Sequence, residues 1–136
     1  MPEAVVSASP QWLRSVQKIA GWILCVLLAA MFVMVGLGKL IGRPGMVMEF
    51  EVIGLGQWFR YFTGALEMIG AIGLLLPRFS PMAALGLAVV MVGAIIAHFT
   101  VLPAPPTLPA MLLALLLIAA WLRGSVRVPR CARFFN

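Results

Sequence analysis

Lys39, Arg60, Thr63, Glu67 and His98 are the side chains of this 136-residue chain whose types and places could do chemistry. Arg60, Thr63 and Glu67 follow one another at spacings of three and four, so a helix would carry them on one face. Glu67 then lies roughly 10 Å further along that face than Arg60. A carboxylate, an imidazole and an ammonium lining one cavity can exchange protons with a small polar or amphipathic ligand. A quinone head fits such chemistry, with His98 donating to a carbonyl and Glu67 accepting or supplying a proton. The plainer alternative makes Lys39 and Glu67 a structural ion pair that clips two helices together. His98 would then be a core residue hydrogen-bonded to a backbone carbonyl.

These residues draw notice because they sit in or beside long apolar runs. Hydrophobic residues make up 63% of the chain and charged ones 10%, with a mean hydropathy of +1.09. A soluble domain carries about 25% charged residues to wet its surface. This composition makes lipid the solvent, and in lipid an unclosed chain must be helical. The expectation is an all-α, integral membrane four-helix bundle forming a single domain over residues 1–136. Its spans are expected at 19–41, 59–76, 82–102 and 108–122, followed by a basic cytoplasmic tail over 123–136. The first run is too long for a secretory signal and reads as an anchor. Ser80 is placed to cap the third span, with Pro81 in its first turn. Pro103, Pro105, Pro106 and Pro109 stiffen the connection to the fourth, and Trp121 marks an interfacial end.

Charge placement sets direction. Arg14, Lys18, Arg78, Arg123, Arg127, Arg130 and Arg133 fall on one side, against Lys39, Arg43 and Arg60 on the other. Seven against three puts both termini in the cytoplasm. The net charge of +6 is therefore spent on headgroups, and it does not indicate nucleic acid. Lys39, Arg60, Glu67 and His98 then all belong to the outer half of the membrane. His98 lies about 6 Å in from Leu102 along its helix. An ionised group at mid-membrane costs about 3 kcal/mol, so each needs a reason.

The connection between the first two spans is semi-apolar and longer than a turn requires. Pro44 starts a short helix there, showing Met46, Phe50 and Ile53 on one face, and Gly54 and Gly56 end it. It either dips into the outer surface or simply covers the bundle. Gly93 with Ala97, and Ala110 with Ala114, are spaced for close helix packing. One intramembrane histidine makes no metal or haem site by itself, and only a homodimer would supply a second His98. No nucleophile–base pair, phosphate-cradling glycine loop or nucleotide fingerprint is present. Cys25 and Cys131 form no C-x-x-C and fall in different environments.

The stretch Gly36-Leu37-Gly38-Lys39-Leu40 is followed by Gly64-Ala65-Leu66-Glu67-Met68-Ile69-Gly70, and then by Ala97-His98 near the end of the third span. In that order these pieces resemble the DoxX and DoxX-like membrane proteins, over roughly residues 19–122. The resemblance implies a multi-pass inner (plasma) membrane protein and a place in membrane redox chemistry, since the family is named after a subunit of thiosulfate:quinone oxidoreductases. Lys39 and Glu67 match recurring polar positions of that family, and His98 matches more loosely. The chain carries no cofactor of its own, so electrons would come from a redox partner protein. It reads as a membrane subunit, in contact with lipid and with a partner protein or a second copy of itself, rather than a stand-alone enzyme. The rival reading is a non-catalytic scaffold or assembly factor with a structural Lys–Glu pair.

Overall fold

The computed structural model describes residues 10–125. Arg127, Arg130, Arg133 and Cys131 of the basic tail lie outside the described residues. The described chain folds as five helices: α1 (Gln11–Ile41), α2 (Pro44–Ile53), α3 (Gln57–Leu75), α4 (Ser80–Thr100) and α5 (Thr107–Ser125). α1 begins well before the first apolar run, so Arg14 and Lys18 ride on a helical extension of it. α5 likewise carries Arg123 within the helix rather than in a tail.

The stops are chemical. Gly42 adopts a left-handed conformation (φ 74°, ψ 50°), which a side chain would oppose. Its N–H donates to Lys39 O and the Arg43 N–H donates to Gly38 O, the paired bonds of a Schellman termination. Pro44 opens α2 and a left-handed Gly54 closes it. Gly56, at φ 91°, turns the chain into α3.

α1, α4 and α5 are long and apolar enough to cross a membrane. α3 has 19 residues but falls outside that group, because Gln57, Arg60 and Glu67 depress its hydropathy. Its outer face is nevertheless apolar: Ile69 and Ile72 are exposed, as are Val26 on α1, Val89 on α4 and Ile118 on α5. Such a continuous apolar exterior is stable against acyl chains and not against water. This is a membrane protein.

α1 packs on α3 and α5, and α4 packs on the same two helices. Neighbours run in opposite directions. Gly36 late in α1 meets Gly64 early in α3, Gly73 late in α3 meets Ala83 early in α4, and Gly21 early in α1 meets Leu122 late in α5. Leu28, Phe32, Leu74, Leu87 and Leu116 fill the centre.

Between α1 and α3 the backbones themselves meet. A Cβ on Gly36 would sit 3.0 Å from Gly64 O, and one on Gly64 would sit 3.1 Å from Gly36 O. The expected small-residue pairs do not play this part. Gly93, Ala110 and Ala114 are exposed, and a Cβ on Gly93 would meet nothing within 4 Å. Spacing alone could not identify the buried face, because α4 and α5 are apolar nearly all round. Ser80 also departs from expectation. It makes no cap; its buried hydroxyl lies 3.4 Å from Cys25 Sγ, joining α4 to α1. Pro81 does occupy the first turn.

Gly64→Val should force α1 from α3 and destabilise the protein by about 1–3 kcal/mol. Gly86→Ala, mid-helix where a Cβ meets nothing within 4 Å, should keep stability or raise it by up to about 1 kcal/mol. Thermal unfolding in mild detergent checks both, and equal stability of the two variants would show that the crossing does not hold the fold.

Candidate functional site

The α1–α3 crossing places the polar residues. Lys39 stands three residues after Gly36, and Glu67 three residues after Gly64. Because the helices are antiparallel, Lys39 packs against Gly64 and Glu67 against Gly36, on either side of the crossing, and the long Lys39 side chain reaches back past the glycines to the carboxylate. Lys39 Nζ donates to Glu67 Oε1 at 2.5 Å, turning down along the helices rather than out toward headgroups. Glu67 is 0% exposed and the Lys39 side chain 12% exposed. The remaining carboxylate oxygen, Oε2, is buried and has no hydrogen-bond partner among the described residues.

Arg60, 4% exposed, is engaged elsewhere. Its Nη1 donates to Lys39 O, adding a cation to the end of α1 where backbone carbonyls lack helical partners. Its Nε donates to Gln57 Oε1 at 2.7 Å, and Gln57 Nε2 donates to Val47 O at 3.3 Å. The chain of contacts runs from α1 through α3 to α2. The guanidinium also stacks over Tyr61, 4.3 Å from the ring centre.

Beside this network lies a cavity of about 640 Å³. Lys39, Thr63, Glu67 and His98 line it; Arg60 does not. The structure thus brings four of the five sequence candidates to one space and gives the fifth to helix termination. The rest of the wall is largely apolar. Phe50, Phe59 and Phe62 supply an aromatic side, with the Phe50 and Phe59 ring centres 5.9 Å apart. Met46, Phe50 and Ile53, the predicted apolar face of α2, all point into it, so α2 covers this cavity.

Polar atoms at the wall are mostly acceptors. His98 Nδ1 lies 2.7 Å from Ala94 O on its own helix. A carbonyl oxygen only accepts, so Nδ1 carries the proton and Nε2 is the nitrogen left for a ligand, an acceptor in any neutral imidazole with this tautomer. The Thr63 hydroxyl is directed at Phe59 O and Arg60 O, at 3.0 and 3.1 Å, leaving its lone pairs open. Glu49 and Thr100 also line the cavity and were missed in the sequence. Glu49 shares the α2 face one turn after Met46, and Thr100 follows His98 by two residues; both signals were there to be read.

Removing one partner of a buried ion pair strands the other charge and costs about 3–5 kcal/mol, whereas replacing both by apolar groups is close to neutral. Lys39→Met should therefore lower stability strongly, and Lys39→Met/Glu67→Met should recover most of the loss. Thermal unfolding of both variants checks this, and a double variant less stable than the single would sink it.

The family model described as the DoxX-like family matches residues 23–121. No curated protein and no solved structure matches the chain.

Proposed function

This membrane protein belongs to the DoxX-like family, and from that premise we propose that it is a subunit of a membrane redox assembly that binds a quinone or similar lipophilic molecule in the cavity beside Glu67. The buried, unpartnered Oε2 of Glu67 carries the reading, because an unanswered carboxylate oxygen at the wall of a lipid-facing protein calls for a ligand group. The cavity suits a flat ring: Phe50, Phe59 and Phe62 offer aromatic surface, and Lys39, Thr63, Glu67 and His98 offer polar atoms to the ring oxygens. Quinone chemistry moves electrons and protons together. In this chain Glu67 and His98 are the groups able to hold or release a proton at the cavity, and a partner protein supplies or removes electrons.

The topology belongs to the same reading. α3 crosses with α1, α4 and α5 as a four-helix membrane bundle in the plasma (inner) membrane, with both termini cytoplasmic. The alternation of helix directions and the basic residues Arg14, Lys18, Arg78 and Arg123 at one end support it. The cavity then opens from the outer half of the membrane.

A scaffold role has two observations in its favour, the Lys39–Glu67 pair at the glycine crossing with Arg60 clamped on Lys39 O, and the bond of His98 to Ala94 O. Those contacts explain Oε1 and the ammonium, but leave Oε2 and the cavity without a purpose.

Protein purified in mild detergent should carry extractable quinone detectable by mass spectrometry, and Glu67→Gln should lose it while remaining in the membrane. Lipid alone in both would favour the scaffold. Reporters fused to each terminus should both read as cytoplasmic, since an even number of crossings returns the chain to its starting side. Ends on opposite sides would mean that α3 does not cross.

A further inference from the structure

We infer that the cavity is selective for the hydroxyl-bearing, reduced form of its ligand, a lipophilic hydroquinone or similar aromatic diol, over the quinone. The inference rests on the quinone reading and goes on to the form recognised. Its basis is the hydrogen-bond inventory of the wall. Six lining residues carry polar side chains: Lys39, Glu49, Thr63, Glu67, His98 and Thr100.

Five of them present acceptors. Glu67 Oε2 is buried and unpartnered among the described residues. His98 spends its Nδ1 proton on Ala94 O, 2.7 Å away, and leaves Nε2 for a ligand, an acceptor in the neutral ring. Thr63 and Thr100 direct their hydroxyl protons at carbonyls of their own helices, Thr100 at Ile96 O at 2.8 Å. Glu49, when ionised, only accepts. Lys39 is the one residue of the six that only donates: one of its three N–H groups goes to Glu67 Oε1 at 2.5 Å, and the ammonium stands 5.8 Å from the Phe50 ring centre.

A quinone has two carbonyl oxygens and no donor, so it can draw only on the N–H groups of Lys39 and leaves Oε2 unmatched. A hydroquinone has two O–H groups and satisfies Oε2 together with a second acceptor. Unmatched buried polar atoms are what make a site discriminate sharply against an analogue lacking a hydroxyl. The apolar and aromatic remainder of the wall binds either form alike, so selectivity falls to the polar atoms.

Isothermal titration of the wild-type protein in mild detergent, without oxygen, tests this with three probes of one ring and tail. They are a short-chain benzoquinone, its hydroquinone held reduced by dithionite, and the hydroquinone's dimethyl ether, which keeps the shape but cannot donate. The hydroquinone should bind at least about tenfold more tightly than either of the others. A quinone that binds as tightly as the hydroquinone would overturn the selectivity and leave the quinone reading standing. An ether that matches the hydroquinone would overturn it too, because the preference would then owe nothing to O–H donation. Binding of none of the three would remove the quinone reading and this inference together.

Discussion

Where α1 and α3 cross, the absence of two side chains decides the position of two others. Gly36 and Gly64 let the backbones meet, and across that gap Lys39, packed on Gly64, reaches Glu67, packed on Gly36. The same closeness lets Arg60 reach the last turn of α1, so that helix ends against a guanidinium. A wider crossing would leave an ammonium, a carboxylate and a guanidinium each facing lipid. Close packing here serves electrostatics more than dispersion, because in a bilayer apolar contact between helices gains little over contact with acyl chains.

The crossing also divides the labour of one carboxylate. Glu67 gives Oε1 to Lys39 and leaves Oε2 buried at the cavity wall. One atom holds the fold and, on the proposed reading, the other is left for a ligand, so structural and functional readings of the residue are not exclusive. α2 completes the arrangement: Gln57 holds its backbone at Val47, Phe50 packs against Phe59, and its apolar face roofs the cavity.

Much of this was legible in the sequence, and the parts that were not share a cause. Composition and run length gave the membrane and the helices, and Pro44, Gly54 and Gly56 gave α2, because those signals are local. Lys39, Thr63, Glu67 and His98 stood out since lipid excludes polar groups, and they do share a cavity. Arg60 was read with them by its spacing; its actual role depends on how near α1 ends, which no spacing within α3 encodes. The packing glycines were misassigned for a similar reason. On α4, apolar nearly all round, nothing in the spacing of Gly93 and Ala97 says which face is buried, whereas Gly64 shares the face of Arg60 and Glu67 on α3. Ser80 looked like a cap because it precedes Pro81, yet Cys25, 55 positions earlier, has its hydroxyl.

The polarity of α3 has a consequence for how the chain is made. A helix bearing Gln57, Arg60 and Glu67 partitions poorly into a bilayer by itself, with each central charge opposing entry by about 3 kcal/mol. Both of its charged residues find their counterparts on α1, in Lys39 and its carbonyl. Synthesis from the N-terminus delivers α1 to the membrane first, apolar and able to wait there. On the four-span reading, α3 leaves the translocation channel by docking onto a helix already in place, and its insertion is a folding step rather than a partitioning one. On that same reading the glycine crossing governs biogenesis: an α1 that could not approach closely would leave α3 stalled at the surface, with the rest of the chain threaded the wrong way.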